Sequence, residues 1–156
     1  MKTLKLALIT LLIACGQSNG PINWDELKYT HQYQGFVFRS EVPLIACYLD
    51  YDVETSRIVL DKYGLIPYKI FPAAFRSVPV YIVKEHSWNH HDGEYNAFVG
   101  ITLNATMSEL THELLHAWDM NHLGVGTGMH KDWSTNGYNA AASEFITLAK
   151  PANMNP

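Results

Sequence analysis

The stretch from residue 106 to residue 123 constrains the fold most, because apolar side chains recur there at the spacing of an α-helix. They are Met107, Leu110, Leu114, Leu115 and Trp118. This periodicity predicts an amphipathic helix with one face in the core. Thr106 and Glu109 have the spacing of an N-terminal capping box, and Gly124 stands where a left-handed C-terminal cap is expected. We therefore expect one helix over residues 106–123.

The same helix carries the pentapeptide His112-Glu113-Leu114-Leu115-His116. Residues four apart project from nearly the same face of a helix, one turn above the other. His112 and His116 can therefore turn one imidazole nitrogen each toward a single metal ion. The carboxylate of Glu113 can reach a water on that metal without being a ligand itself. This combination favours zinc-assisted hydrolysis.

The rest of the chain alternates between strand and helix patterns, which predicts an α+β fold with a mixed sheet. The predicted strands are residues 35–42, 78–84 and 96–104, and the other predicted helices are residues 24–31, 52–63 and 140–148. Asp52 is expected to cap the start of the helix 52–63, and Gly64 to end it. Residues 65–77 contain Pro67 and Pro72 and are expected to form an ordered loop. Residues 24–156 are about one domain's worth of chain.

The pentapeptide and its helix resemble the zincins, a superfamily of metallopeptidases built around a helix that carries this motif. The resemblance implies Zn²⁺ bound by His112 and His116, with Glu113 as the general base. It also implies a third protein ligand, an open position for water and a protein or peptide substrate. In zincins a strand at the sheet edge pairs with extended substrate, which here implies part of residues 95–102.

Three residues compete for the third ligand, and we prefer His130. Residues 118–133 resemble the SprT-like zincins, in which the helix ends in a His-apolar-Gly sequence and a third His follows after a loop. His122 has the spacing of the metzincin ligand, although Asp119 stands where metzincins have Gly. If the helix runs to residue 123, position 122 lies about 240° around the helix from position 116. Glu144 is the third alternative, because gluzincins take a Glu from a following helix.

Three further features were assigned from the residues around the motif. Asp119 is expected either to orient the His116 imidazole or to be a surface carboxylate. Tyr138 is a candidate donor to an oxyanion. His86, His90, His91 and Asp92 cluster in sequence, either as a second metal site or, as we favour, as a solvated loop; they are not spaced as ligands on a helix or a hairpin.

Residues 1–14 have the features of a bacterial secretory signal, because Lys2 and Lys5 precede an apolar run too short to span a membrane. The run ends Leu12-Ile13-Ala14-Cys15, which resembles a lipobox and implies cleavage before Cys15. Acyl chains on Cys15 would then anchor the protein, with residues 15–23 as a tether. Gly16 follows, not Asp, and the resemblance implies an outer-membrane lipoprotein, on the periplasmic face or the cell surface. An ordinary secretory signal with an unmodified Cys15 is the alternative.

Composition and cysteine usage restrict the remaining possibilities. A hydrophobic content of 47% suffices for a core, and the formal net charge of −4 becomes more negative without Lys2 and Lys5. Because no basic patch is present, nucleic-acid binding is disfavoured. Lipidation of Cys15 would leave Cys47 without a disulfide partner, and its apolar neighbours predict a buried side chain. We expect a monomer.

These observations lead to one preferred function and two alternatives. The preferred function is a lipid-anchored zinc peptidase of the bacterial envelope. The first alternative is a non-catalytic zinc-binding lipoprotein on a zincin-like scaffold. The second is a lipoprotein that captures zinc with its additional histidines.

Overall fold

The computed structural model describes residues 24–66, 71–84, 93–96, 99–123, 133–134 and 137–152. The predicted signal sequence and tether lie outside these residues, as do the histidines at positions 86, 90, 91 and 130. Within the described part of the chain, no helix is both long enough and apolar enough to cross a membrane.

A five-stranded mixed sheet forms the centre of the fold. Its strands are β1 (Tyr29–Tyr33), β2 (Phe36–Ser40), β3 (Val80–Val83), β4 (Gly93–Asn96) and β5 (Gly100–Asn104), and their spatial order is β1-β2-β3-β5-β4. The pairs β2–β3 and β3–β5 are parallel, whereas β1–β2 and β4–β5 are antiparallel hairpins. The two hairpins therefore place β1 and β4 at the sheet edges.

Four helices accompany the sheet in the described residues. They are α1 (Ala46–Lys62), the short α2 (Ala73–Arg76), α3 (Leu110–Leu123) and α4 (Tyr138–Leu148), and a single 3-10 turn covers Trp24–Glu26. Helix α3 packs against α1, α2, α4, β4 and β5. The arrangement confirms the expected α+β class and a single small domain.

The core lies between the sheet and these helices. In β2 the side chains of Phe36 and Phe38 are fully buried, with the more exposed Val37 between them. Every residue of β3 is buried, as expected for a central strand that is paired on both sides. Leu110 and Leu114 of α3 have no exposed surface. The apolar stripe that predicted the helix is thus the face that anchors it.

Helix α3 begins later than the sequence pattern indicates. Met107 has a left-handed backbone with φ of 59°, and the helix starts only at Leu110. The Thr106 amide donates to the Asn104 side-chain oxygen at 3.0 Å, so Thr106 belongs to a turn. The predicted start at residue 106 is wrong. The helix is described as far as Leu123, and Gly124, the predicted cap, lies outside the described residues.

Helix α1 corrects two other expectations. It starts at Ala46, six residues before the predicted start, so Asp52 lies inside the helix and does not cap it. The burial of Leu49 and Val53 shows why, since apolar contacts hold the first turns in place. Cys47 is exposed, so its predicted burial is wrong. Gly64, with φ of 70°, follows the last turn as expected.

Two shorter regions also differ from the expected elements. Residues 24–31 form a 3-10 turn followed by the start of β1, not a helix. The predicted strand at residues 96–104 is divided between β4 and β5, which pair as a hairpin. Gly100 allows this, because its φ is 121° and an added Cβ would lie 2.5 Å from the Pro79 carbonyl oxygen.

Candidate metal centre

The two histidines of the pentapeptide converge on one point beside α3. The Nε2 atoms of His112 and His116 are 3.1 Å apart, and the ring centroids are separated by 4.8 Å. Zinc binds imidazole nitrogen at about 2.0–2.1 Å, so two ligands of a tetrahedral ion lie about 3.3–3.4 Å apart. The observed separation fits such a pair. It also fits a single N–H···N hydrogen bond between the rings.

Glu113 supplies a buried carboxylate next to the imidazoles. Its residue is 4% exposed, and Oε1 lies 4.0 Å from the His112 Nε2 atom. One ligand atom from each of His112, Glu113 and His116 can be chosen so that all three lie within 4.8 Å of one another. Among the described residues, these three side chains form a group that could hold a metal ion.

The electrostatic surroundings of Glu113 favour its protonated form. Burial raises the pKa of this carboxyl to about 8, and the charges of Glu109 and Glu94 act in the same direction. A hydrogen bond from the Tyr95 backbone N–H of β4 opposes the shift. Glu113 is therefore connected to the edge strand as well as to the histidines.

Gly93 at the start of β4 allows the strand to approach α3 this closely. A Cβ added at Gly93 would lie 2.7 Å from Leu103, 2.9 Å from the Glu109 Cβ and 3.2 Å from the Glu113 Cγ. The position therefore has no room for a side chain. Sequence reasoning missed this residue, because a single Gly after a polar segment resembles any loop glycine.

Trp133 forms an aromatic wall against both imidazoles. Its ring centroid lies 4.8 Å from that of His112 and 4.6 Å from that of His116. The indole is 2% exposed, and the Tyr138 ring of α4 contacts it edge-on at 5.3 Å. No sequence pattern had assigned a role to Trp133.

Asp119 lies one turn after His116 and is buried, with 4% of its surface exposed. Its Oδ2 atom accepts a hydrogen bond from the Trp133 Nε1–H at 3.2 Å. The Oδ1 atom is buried and has no hydrogen-bond partner among the described residues. The expectation of a surface carboxylate is wrong.

The Tyr138 hydroxyl interacts with the Asp119 carboxylate. Burial, followed by the interaction with the Asp119 carboxylate, raises the pKa of its hydroxyl. Tyr138 is 7% exposed and is the first residue of α4. Its proposed role as an oxyanion donor stays a prediction.

The three candidates for the third ligand differ in what the structure describes. His130 and the side chain of His122 lie outside the described residues. Helix α3 continues through position 122 to Leu123, as the preference for His130 assumed. The Glu144 carboxylate accepts hydrogen bonds from Lys62 Nζ at 2.6 Å and from the Tyr63 hydroxyl at 2.8 Å. A zinc ligand at Glu144 would have to give up both contacts.

Comparisons of the chain with protein-family models, with curated proteins and with solved structures found no match. The resemblance to zincins therefore depends on the pentapeptide and its neighbours in the sequence. The local geometry is compatible with that resemblance, and the activity it implies is a proposal.

Proposed function

We propose that this protein is a zinc-dependent peptidase in which His112 and His116 hold the metal and Glu113 is the general base. His130 is the preferred third ligand. The observation that carries the proposal is the 3.1 Å approach of two imidazole Nε2 atoms beside a buried carboxylate. Two nitrogens at this distance need a shared proton or a cation between them, since their lone pairs repel each other.

In the proposed hydrolysis the two histidines would hold the metal and Glu113 would transfer the proton. Zinc in such a site lowers the pKa of a bound water toward about 7 and polarises the substrate carbonyl. The 4.0 Å between Glu113 Oε1 and His112 Nε2 brings the carboxylate within one water molecule of the histidine pair. A cation held by the two histidines would favour the ionised form of Glu113, which would then take the proton of the attacking water and pass it to the leaving amine. The Tyr95 N–H and the contact at Gly93 hold that carboxylate in place.

The order of the strands also indicates which strand could pair with an extended substrate. Among residues 95–102, β5 is paired on both sides, whereas β4 is an edge strand. A peptide adding to β4 would run beside α3 and pass the histidine pair. Binding through main-chain hydrogen bonds implies a loose sequence preference. We therefore propose extended, unfolded polypeptide as the substrate.

The proposed location is the bacterial outer membrane, through a lipid on Cys15. Its support is the sequence of residues 1–16 alone. Mass spectrometry of the mature N-terminus tests it, because lipidation predicts a chain that starts at an acylated Cys15. A Cys15→Ser variant should lose the lipid, and a mature wild-type chain with an unmodified N-terminus would contradict the anchor.

The activity is tested by metal analysis combined with hydrolysis of casein and of a peptide library. The purified full-length protein should retain about one zinc per chain and should cleave the library only in its zinc-loaded form. Zinc without cleavage would leave the non-catalytic lipoprotein as the function. More than one zinc per chain, with function independent of Glu113, would favour zinc capture. Absence of zinc would end all three.

The third ligand is identified by alanine variants at His122, His130 and Glu144. We expect His130→Ala to lose zinc and the other two variants to keep it. Glu144→Ala removes the contacts with Lys62 and Tyr63, and loss of zinc from this variant alone would assign the gluzincin arrangement. Loss of zinc from His122→Ala alone would assign the metzincin arrangement.

A further inference from the structure

We propose that Asp119 is a positioning residue that fixes the histidine pair through Trp133. The inference deepens the proposed function and rests on it. The group consists of Asp119, Trp133, His112 and His116, and we call it the indole brace. Asp119 accepts the hydrogen bond from the indole, Trp133 contacts both imidazole rings, and the imidazoles are the groups whose orientation is fixed.

The hydrogen bond between Asp119 and Trp133 fixes the orientation of the indole. Trp133 has one polar hydrogen, and the Asp119 Oδ2 atom accepts it at 3.2 Å. Both side chains are almost fully buried, so no bulk water competes for this bond. An indole held by its Nε1–H cannot turn about its side-chain bonds without losing the only hydrogen bond it can donate.

The fixed indole in turn restricts both imidazoles. Its centroid lies within 5 Å of each imidazole centroid, and aromatic pairs at such distances attract each other. One side chain thus touches both rings, while their Nε2 atoms, which would bind a metal, lie 3.1 Å apart. Movement of the indole would remove its contact with both histidines at once.

The burial of Asp119 supports this role over a purely structural one. A buried carboxylate is costly unless its oxygens are fully hydrogen-bonded, yet its Oδ1 atom has no partner among the described residues. A neutral apolar residue would fill this part of the core at lower cost. What the carboxylate provides there is a strong acceptor for the indole N–H, in addition to its interaction with the Tyr138 hydroxyl of α4.

The first test measures the rings in the metal-free protein. Histidine ring ¹⁵N and ¹H signals of the full-length chain are compared between wild type and Asp119→Ala, Asp119→Asn and Trp133→Phe. Asp119→Ala and Trp133→Phe should shift the ring signals of His112 and His116. Asp119→Asn should restore most of the wild-type pattern, because its amide oxygen still accepts the bond. Unchanged rings in Asp119→Ala would overturn the proposal.

The second test measures zinc affinity by competition with a chelator. Loss of groups that orient metal ligands weakens binding by about 10- to 100-fold, and we expect this range for Asp119→Ala. Asp119→Asn should stay close to wild type, and an Asn variant as weak as the Ala variant would exclude the acceptor role. If Asp119→Ala fails to fold, both measurements are made on Trp133→Phe, because this variant removes the N–H and keeps an aromatic ring.

Glu54→Gln is the matched control, because it removes a carboxylate charge from α1 at its hydrogen bond with Arg57. It should leave both the ring signals and the zinc affinity unchanged, and an equal effect of this variant would reduce Asp119 to general packing. The two tests also separate the two proposals. If the wild type binds no zinc but Asp119→Ala still shifts the rings, the peptidase fails and the brace stands.

Discussion

Two glutamates, one within the motif and one after it, differ in pKa because their surroundings differ. Glu113 is buried beside Glu109 and Glu94, and its pKa is raised. Hydrogen bonds from Lys62 and then Tyr63 lower the pKa of Glu144. A sequence pattern cannot distinguish these environments, because each depends on residues brought close by folding. The position of Glu113 within the pentapeptide was nevertheless enough to predict its place beside the histidines.

At the residue scale, Glu113→Gln should keep zinc and lose turnover. The amide has nearly the same shape but cannot accept a proton, and general-base catalysis typically contributes about 10²- to 10⁴-fold. Zinc content and peptide hydrolysis are measured on the same preparation. Glu54→Gln, which removes the acceptor of the Arg57 hydrogen bond on α1, is the control and should retain activity. Full activity in Glu113→Gln would remove Glu113 from the mechanism.

Gly93→Ala should disturb the site without touching a histidine. The new Cβ would meet Leu103, Glu109 and Glu113 at 2.7 to 3.2 Å, and such overpacking typically costs about 1–3 kcal/mol of stability. We expect slower peptide hydrolysis with zinc retained. Gly64→Ala is the comparison, since an added Cβ meets nothing within 4 Å there and only its left-handed backbone is strained. Equal hydrolysis rates for the two variants would contradict the role of Gly93.

At the scale of elements, the apolar pattern predicted which segments are regular better than it predicted their ends. The apolar pattern predicted that α3 is a helix, which the structure describes as far as Leu123. It did not predict where α3 starts, because Asn104 and the left-handed Met107 form a turn that displaces the capping box. The early start of α1 depends on Leu49 packing into the core. That contact involves other elements, so residues 46–51 alone do not reveal it.

Asp52, inside α1, makes the stability of the fold dependent on pH. Burial raises the pKa of this carboxyl from 3.8 to about 7, against the opposing effects of Lys150. The folded state therefore holds its proton more tightly than the unfolded state does. The stability this provides is present below about pH 4 and is lost as the pH rises toward 7. Each unit of pKa difference corresponds to about 1.4 kcal/mol, so the total is a few kcal/mol at most.

Asp52→Asn should flatten this dependence, because the amide does not titrate and its oxygen can still accept the Lys150 N–H, which is 2.8 Å from Asp52 Oδ1 in the wild type. Chemical denaturation of both proteins from pH 4 to pH 8 measures the effect. The stability of the variant relative to wild type should increase across this range. Parallel curves would show that Asp52 titrates alike in the folded and unfolded chains.

At the scale of the whole molecule, the residues after α4 connect distant parts of the fold. The Ile45 amide donates to the Ala152 carbonyl at 2.9 Å, and the Ala152 amide donates to the Ala105 carbonyl at 2.6 Å. These bonds join the start of α1 to the turn before α3. The α+β class and helix α3 could be predicted from the sequence. The long-range backbone bonds of Ala152 and the contacts of Trp133 could not, because no periodicity in the sequence indicates them.

Because α3 packs against the other three helices and two strands, a metal bound by its histidines should stabilise the whole domain. A ligand that binds only the folded state adds about 2.7 kcal/mol at a concentration 100-fold above its Kd. We expect the free energy of unfolding of the full-length chain to increase with zinc concentration in this manner. The variant His112→Ala/His116→Ala should show no such increase. Equal stabilisation of both proteins would place the zinc elsewhere.

The central claim is that His112 and His116 bind one zinc ion together. X-ray absorption at the zinc edge, on full-length protein loaded with one equivalent, tests it most directly. We predict imidazole scattering with Zn–N distances of about 2.0–2.1 Å, reduced by one imidazole in each single alanine variant at position 112 or 116. A zinc spectrum without imidazole, or one unchanged in both variants, would contradict the account.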